Sequence, residues 1–187
     1  MKQILFASTN ASKIEEVKAI FNKYCPDMQI LTLTDIGINL DDVEENASTY
    51  VGNSYLKAIA AYEKTRMPVI ADDSGYEITQ WNGMPGLYTH RLYKEYPVEK
   101  LDMSKSTEVF QYSAICFKPS DDDVEYYSHK VQGRLINTQR GTHDSYYMNS
   151  MIPKGYDKTF VELGPEYINE ISARALCIKE LIKKNNL

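Results

Sequence analysis

Two adjacent carboxylates are the residues best suited to chemistry. Asp72 and Asp73 directly follow the apolar run Val69–Ala71 and precede Ser74 and Gly75. Open α/β sheets bind ligands at the carboxyl ends of their strands, so a strand ending here would present both acids to a ligand. Side chains of neighbouring residues diverge, so one acid could hold Mg²⁺ or orient a lysine while the other polarises water. Asp, Ser and Gly also form ordinary turns, which explains the local sequence equally well.

A second candidate is the polar segment Ser8–Lys13, with the sequence STNASK, which follows a short apolar strand and opens a predicted helix. Backbone N–H groups and the helix dipole favour an anion at such a place, and the charge of Lys13 adds to this. The glycines of a Walker A loop are missing. The competing interpretation is an ordinary N-cap followed by a solvated lysine.

Further polar residues suit a metal or a phosphate. Glu45 lies in an acidic loop, and Thr49, Asn53 and Lys57 are spaced four apart along a predicted helix. Carboxylate oxygens suit Mg²⁺, and a lysine on a helix that faces a cleft suits phosphate. Taken singly, Glu45 is equally typical of a solvated loop and Lys57 of a helix surface.

A chain that alternates strands and helices must position these residues. Apolar spacing predicts helices over about 11–24, 49–65, 97–108 and 167–184. Short apolar runs predict strands over about 4–7, 29–33, 69–71, 109–117, 124–132 and 133–137. The expected fold class is α/β, with a mixed twisted sheet, flanking helices and a β-rich middle lobe.

Composition excludes several classes of function. Of 187 residues, 43% are hydrophobic and 25% charged, as in a globular domain. A net charge of −5 without a basic run argues against binding a nucleic-acid polymer. No apolar stretch is long enough to span a bilayer and Met1–Phe6 is too short for a signal peptide, so we expect no membrane partner and a cytoplasmic location. The three cysteines form no CxxC pair, which argues against a zinc site or a disulfide framework.

Together these segments resemble the inosine triphosphate pyrophosphatase family, the house-cleaning pyrophosphatases of non-canonical purine nucleoside triphosphates. Segment 8–13 is similar to the family's T/S-x-N-x-x-K loop, 53–58 to N-A-x-x-K-A, 68–75 to P-x-x-A-D-D-S-G and 83–88 to G-x-P-G-x-Y. The order continues with Gly133–Ile136, Arg140-Gly141, Thr159 with Glu162, and Ile171–Arg174. The ordered series spans nearly the whole chain and is more specific than any one motif.

The resemblance implies a single domain of this family over residues 1–187, with two lobes around a central cleft and a β-rich lobe over about 109–160. It implies a homodimer and Mg²⁺-dependent hydrolysis between the α and β phosphates of a nucleoside triphosphate, giving a monophosphate and pyrophosphate. The expected metal ligands are Glu45 and Asp73, and the expected catalytic residues are Asp73 as proton acceptor, Asp72 and Lys13. The expected substrate-binding residues are Ser8, Thr9, Asn10, Lys13, Asn53, Lys57, Ser74, Tyr146, Tyr147 and Arg174.

The region that would bind the base departs from the family pattern. Where the family has F-G-[YW]-D, this chain has Ser145–Met148. Ser145 therefore replaces the aromatic residue that stacks on the purine, and Met148 replaces an acid near the base. Tyr146 and Tyr147 could take over stacking or simply pack under the loop.

A second departure lies near the C-terminus. The family's S-H-R becomes Ser172–Arg174, so Ala173 replaces a base-contacting histidine, and a family lysine falls at Ile168. The phosphate and metal half is thus retained, while base specificity is altered or relaxed. The alternatives are a nucleotide-binding homologue without turnover and a Maf-like pyrophosphatase for modified pyrimidine nucleotides. The S-x-S-x-x-R opening of the Maf-like group differs from Ser8–Lys13, which argues against the latter.

Overall fold

The structure, a computed structural model, describes residues 2–187. Its strands are β1 (Lys2–Phe6), β2 (Met28–Thr32), β3 (Val69–Ile78), β4 (Pro85–Gly86), β5 (Glu108–Lys118), β6 (Glu125–Leu135) and β7 (Met151–Pro153). Its helices are α1 (Ala11–Tyr24), α2 (Tyr50–Thr65), α3 (Thr89–Leu92), α4 (Phe160–Leu163), α5 (Pro165–Ile171) and α6 (Ala173–Asn185). Within residues 2–187, none of these helices combines the length and the apolar character needed to cross a membrane.

The strands form one mixed sheet. Their order is β2-β1-β3-β5-β6-β7, with β4 beside β3. β1 runs parallel to β2 and to β3, whereas the pairs β3–β4 and β6–β7 are antiparallel. Parallel neighbours need a crossover connection, and α1 and α2 lie in the connections from β1 to β2 and from β2 to β3. The mixed sheet with helices confirms the predicted α/β fold class.

The chain divides into two compact units. The first comprises the described residues up to Asp73 together with Ser113–His129 and Arg174–Leu187. Its strands alternate their side chains between two faces, each covered by helices. Against α1 and α6 pack Ile4, Phe6, Ile70, Ile115 and Phe117. Against α2 pack Leu5, Ala7, Val69, Ala71 and Cys116. Even positions at the start of β3 therefore face α1 and α6, and odd positions face α2.

The second unit comprises Ser74–Tyr112 and Lys130–Ala173. Its core contains Tyr76, Ile78, Val98, Leu101, Val109, Leu135, Tyr147, Met148, Met151, Phe160 and Ile168. Gly133 of β6 lies against β7 so closely that an added Cβ would come within 2.5 Å of the Ile152 carbonyl oxygen, which only glycine avoids. The single domain over 1–187 with a β-rich lobe near 109–160 stays a prediction.

Strand β3 is longer than the sequence indicated. The sequence predicts a strand over about 69–71, yet the strand continues to Ile78, where Tyr76 and Glu77 pair with β4. The predicted strand end at the two acids is therefore wrong, and so is the alternative of an ordinary turn. Asp72 and Asp73 lie in the middle of a strand, where their side chains must point to opposite faces of the sheet.

The helix predicted over 97–108 is also wrong. Only Val98–Lys100 forms a short 3₁₀ turn. The side chain of Gln80 accepts from the backbone N–H of Asp102 and donates to its carbonyl oxygen, so the two backbone groups that a helix would use are already bonded. Likewise the strands predicted over 124–132 and 133–137 are one continuous strand, β6.

The helix predicted over 167–184 is interrupted and forms α5 and α6. Ser172 between them is extended, with ψ at 153°. The backbone N–H of Ala173 donates to Gln111 Oε1 at 2.9 Å instead of to a preceding helical carbonyl. A side chain from a distant strand thus starts a new helix at the residue before Arg174.

Candidate active site

Asp72 is the centre of a buried network of charges in the first unit. Its Oδ2 lies 2.7 Å from Lys13 Nζ and 3.1 Å from Arg174 Nη2, and the Ser113 hydroxyl donates to its Oδ1 at 2.5 Å. Burial alone would raise the pKa of Asp72, but the positive charges of Arg174 and Lys13 outweigh it and hold the pKa well below its usual range. Asp72 is therefore an ionised carboxylate that fixes two cations.

Glu16 completes this network, although it is not among the residues predicted from the sequence. The Glu16 carboxylate is buried and pairs with the Arg174 guanidinium. Burial opposes the charged form of Arg174, yet the charges of Asp72 and Glu16 raise the pKa of the guanidinium. A signal was present: Glu16 falls three residues after Lys13, beside Val17 on the apolar stripe of α1, where an unpaired carboxylate would be costly.

Asp73 has a different environment, on the face covered by α2. It is 8% exposed, and Asn53 Nδ2 donates to its Oδ2 at 3.0 Å. Burial raises the pKa of Asp73 above its ordinary value, although the charges of Lys57 and Lys13 oppose this. Asp73 is therefore the better proton acceptor of the two aspartates, because a base whose pKa is very low holds a proton too weakly. The structure confirms that the two side chains diverge.

The acidic loop meets the same face of α2. Lys57 Nζ lies 2.7 Å from Glu45 Oε2, and the backbone N–H of Ala47 donates to Asn53 Oδ1 at 3.0 Å. In the part of the chain that the structure describes, no three His, Cys, Asp or Glu side chains are grouped so that they could hold a metal by themselves. Mg²⁺ characteristically uses one or two protein carboxylates plus substrate phosphates, and Glu45 with Asp73 fits that donor set.

The segment before α1 forms a true helix cap. Asn10 Oδ1 accepts from the Lys13 backbone N–H at 3.0 Å and from the Ser12 hydroxyl at 2.9 Å, while Ser8 Oγ accepts from the Asn10 N–H at 3.2 Å. The N-cap interpretation is therefore correct for Asn10. A solvated Lys13 is wrong, because its side chain is 19% exposed and paired with Asp72. Burial lowers the pKa of Lys13, and the charge of Asp72 offsets part of that effect.

The two tyrosines predicted to bind substrate are tied into the second unit. Tyr147 is fully buried, and its hydroxyl donates to the Tyr96 carbonyl oxygen at 2.7 Å. The Tyr146 hydroxyl accepts from the Val98 N–H at 3.1 Å and donates to Glu99 at 3.0 Å. These contacts favour the packing interpretation of both tyrosines over stacking on a base.

A chain of hydrogen bonds links Ser145 and Ala173, two of the positions at which this sequence departs from the family pattern. Ser145 Oγ lies 3.2 Å from Tyr76 Oη, which accepts from Gln111 Nε2 at 3.1 Å. Gln111 Oε1 in turn accepts from the N–H of Ala173. Tyr76 and Gln111 are buried, so this chain is part of the unit's interior. Ser74, another predicted substrate residue, is partly buried at the start of the same unit.

Comparison with known proteins decides the family, because the Ham1 family model matches residues 4–184. The chain belongs to the Ham1 family. A curated relative from Oceanobacillus iheyensis, named dITP/XTP pyrophosphatase, is 30% identical over 98% of each chain. One of the same name from Porphyromonas gingivalis is 28% identical over 97% of this chain and 96% of its own. The solved Ham1 protein of Staphylococcus aureus has a TM-score of 0.81 at 28% identity, covering 99% of this chain and 98% of its own.

Membership of the Ham1 family confirms the resemblance found in the sequence. A further Ham1 structure, from Coxiella burnetii, has a TM-score of 0.83 at 24% identity and supports the fold alone. Several predicted site residues are in contact in the structure. Lys13 and Arg174 form ion pairs with Asp72, and Lys57 forms an ion pair with Glu45. Asn53 donates a hydrogen bond to Asp73. Ser8 and Asn10 form the cap of α1 and Thr9 is exposed. Ser74, Tyr146 and Tyr147 belong to the second unit.

Proposed function

We propose that this Ham1 protein hydrolyses a nucleoside triphosphate to a nucleoside monophosphate and pyrophosphate, with Mg²⁺ and with an altered choice of base. The contrast between the two adjacent aspartates carries the proposal. Asp72 is an ionised anchor for Lys13 and Arg174, whereas Asp73 has a raised pKa and bonds to an amide. Phosphoryl chemistry needs both functions, fixed positive charge and a proton acceptor, in one place.

In this proposal Asp73 accepts the proton of the attacking water. The water oxygen bonds to the α-phosphorus while the bond from that phosphorus to the oxygen bridging to the β-phosphate breaks. Pyrophosphate leaves with the bonding electron pair, and the proton from water stays on Asp73 until solvent removes it. Without a bound metal ion, burial raises the pKa of Asp73 toward the working pH, which makes it the better proton acceptor of the two aspartates.

Residues of the first unit supply the contacts to the phosphates. Lys13 and Lys57 carry the amines, and Ser8 and Thr9 carry hydroxyls beside the N-terminal end of α1. The side chain of Asn10 caps that helix, so its part is to shape the loop. Since Lys57 pairs with Glu45 in this structure, a phosphate oxygen would compete with Glu45 for the same amine.

Glu45 and Asp73 are the proposed ligands of Mg²⁺. Both offer hard carboxylate oxygens, and both are linked to the same face of α2, through Lys57 and Asn53. When bound with the triphosphate, Mg²⁺ neutralises phosphate charge and stabilises the negative charge that develops on the leaving group.

The altered choice of base rests on the second unit. Met148 and Ile168 are buried in its core, and they stand where the family pattern has an acid and a lysine. The hydroxyl of Ser145 is bonded to Tyr76. A site without paired polar contacts to a substrate loses much of its discrimination between analogues, so we expect a narrow spread of rates among bases.

The homodimer, which the resemblance implies, and the cytoplasmic location, which the lack of a long apolar stretch predicts, are part of the same proposal. Sedimentation velocity at micromolar concentration tests the dimer, and a single species of monomer mass would contradict it. Fractionation of the source cells tests the location.

The decisive experiment is a panel of canonical, deaminated and modified pyrimidine triphosphates, assayed for pyrophosphate and for orthophosphate with and without Mg²⁺. We expect pyrophosphate only, dependent on Mg²⁺, with rates that differ less than about tenfold among the bases. Hydrolysis in ¹⁸O-water is expected to label the monophosphate, because water attacks the α-phosphorus. Release of orthophosphate, or label in pyrophosphate, would contradict the reaction. Binding without turnover would identify a nucleotide-binding homologue, and turnover restricted to modified pyrimidines would identify a Maf-like enzyme.

A further inference from the structure

Asn53 uses both ends of its amide. Its Oδ1 accepts from the backbone N–H of Ala47, and its Nδ2 donates to Asp73 Oδ2, each at 3.0 Å. A backbone N–H can only donate, so the bond to Ala47 fixes which end of the amide is oxygen. The nitrogen end is then the one that meets Asp73. The two partners lie on opposite sides of α2 in the sequence, one in the acidic loop and the other in β3.

The loop lies unusually close to the first turns of α2 at this point. A Cβ added to Gly52 would come within 2.6 Å of the Ala47 Cβ, so a larger residue would push the loop away. Thr49 caps the helix by accepting from the Gly52 N–H at 3.0 Å, which fixes the turn on which Gly52 and Asn53 sit. Two residues before Ala47, Glu45 pairs with Lys57 on the next turn of α2.

We infer that Asn53 is a positioning residue that joins the loop carrying Glu45 to the carboxylate of Asp73, and that it is not a substrate ligand. This inference rests on the proposed function, because it concerns the two residues proposed to hold the metal and accept the proton. The sequence suggested substrate binding for Asn53. With 5% exposure and both amide ends already bonded, the side chain presents little surface to a nucleotide.

The geometry has a specific consequence for Asp73. Because Asn53 Nδ2 can only donate, it holds Asp73 Oδ2 as an acceptor and thereby sets the rotation of the carboxylate. The direction of the other carboxylate oxygen, Oδ1, is then set by the same bond. A residue that holds a metal ligand in orientation typically changes metal affinity or activity by about ten- to a hundredfold when it is removed. Replacing Asn53 is therefore expected to weaken metal binding, an effect that the loss of a substrate ligand would not have.

The first test needs neither metal nor nucleotide. Amide hydrogen exchange of Ala47 is measured by NMR in the wild-type chain, in Asn53→Leu, and in the control Ser54→Ala, which removes a neighbouring hydroxyl that donates to Val51 within α2. We expect exchange at Ala47 to be about fivefold or more faster in Asn53→Leu, since one hydrogen bond is lost, and unchanged in Ser54→Ala. Equal exchange in all three chains would overturn the link to the loop.

The second test separates positioning from substrate binding. Mn²⁺ binding with a non-hydrolysable α,β-methylene triphosphate is followed by electron paramagnetic resonance, and the Mg²⁺ concentration for half-maximal turnover is measured beside the nucleotide KM. For Asn53→Leu we expect both metal constants to rise about tenfold or more while KM at saturating Mg²⁺ changes little. A raised KM with unchanged metal constants would make Asn53 a substrate ligand and overturn the inference, while the proposed reaction would stand.

A second variant separates the two ends of the amide and guards against misfolding. Asn53→Asp keeps an acceptor for Ala47 but sets a carboxylate against Asp73. We expect normal exchange at Ala47 together with a large loss of kcat, and wild-type kcat would overturn the link to Asp73. If Asn53→Leu does not fold, the same measurements are made on Asn53→Ser, because the shorter serine side chain reaches neither Ala47 nor Asp73. Should the wild-type chain turn over no triphosphate, the proposed function fails, and hydrogen exchange with Mn²⁺ binding still decides whether Asn53 joins the two segments.

Discussion

The polar residues of the two units are used in opposite ways. In the first unit Asp72, Lys13, Arg174 and Glu16 are charged and neutralise one another inside the core. In the second unit Ser145, Tyr76 and Gln111 are neutral and bonded into the packed interior. Under the proposed function, the first arrangement would fix charge for a polyanion, and the second would offer few polar groups to distinguish one base from another. The comparison teaches that one chain buries charges as a mutually neutralised cluster and neutral polar groups as a bonded part of the core.

The largest effect is expected from the residue proposed as the base. Asp73→Asn should lower kcat by about a hundred- to ten-thousandfold, because an amide accepts no proton from water. The fold should persist, since an amide oxygen can still accept from Asn53. Steady-state kinetics with circular dichroism as the control measure this. An unchanged kcat in this variant would show that Asp73 is not the proton acceptor. The difference between the two units would then not concern catalysis.

The second prediction concerns the stability that the charged network provides. Asp72→Asn should lower the free energy of unfolding by about 3–5 kcal/mol, since Lys13 and Arg174 would lose the carboxylate that neutralises them in a buried site. Urea denaturation at pH 7 measures this loss. The matched control is Asp121→Asn, which breaks an ion pair with Arg66 at 70% exposure and should cost less than about 1 kcal/mol.

The pH dependence of that difference follows from the pKa of Asp72. The folded pKa is depressed below the ordinary value of 3.8, so the stabilisation is fully present above that value and is lost as pH falls through the folded pKa. The difference in the free energy of unfolding between the wild type and Asp72→Asn should therefore stay constant from pH 7 to about 4 and become smaller only below that pH. If this difference in the free energy of unfolding disappeared at a pH closer to 7, the low pKa of Asp72 would be contradicted.

A smaller effect is expected from restoring the aromatic residue in the second unit. Ser145→Phe should raise kcat/KM for purine triphosphates relative to pyrimidine triphosphates about two- to tenfold, because one aromatic stacking contact gains more from the larger purine ring. Ser145→Ala is the control, because it also removes the bond to Tyr76 but adds no ring. Adding Met148→Asp would bury an unpaired carboxylate in the core, so the single variant is the sharper test. Identical substrate rankings for all chains would show that Ser145 lies outside base recognition.

The smallest effect concerns Tyr147. Tyr147→Phe removes the bond to the Tyr96 carbonyl oxygen and should lower the free energy of unfolding by about 1 kcal/mol, with the ranking of substrates unchanged. Thermal and urea denaturation measure the first quantity, and the substrate panel the second. A changed ranking of substrates would show that Tyr147 takes part in base recognition. The polar residues of the second unit would then have a functional role, as those of the first unit are proposed to have.

The elements that the sequence predicted well are those with strong local signals. The helix over 11–24 agrees with α1 because a cap, an apolar stripe and a following proline all mark its ends. The elements predicted wrongly depend on distant partners. Pairing with β4 carries β3 past the two aspartates, and side chains of Gln80 and Gln111 end or start helices far from them in sequence.

The candidate site divides in the same way. Motif order was enough to find Asp72, Asp73, Lys13 and Arg174, since residue types that suit phosphate and metal recur in a fixed series. The sequence predicted neither the bond from Ser113 to Asp72 nor the bond from Asn53 to Asp73, because a polar residue in a strand or helix carries no sign of which partner it will meet.

By itself, the sequence determined the α/β class, the family and the residue types available for chemistry, because hydrophobic periodicity and short motifs are local properties of the chain. The resemblance named Asp73 as the proton acceptor, but only the tertiary structure shows which carboxylate Lys13 and Arg174 neutralise and which one bonds to Asn53 instead. Asp72 and Asp73 are chemically identical neighbours. The alternation of a strand turns one toward Lys13 and Arg174 and the other toward α2, and burial beside different charges moves their pKa values in opposite directions.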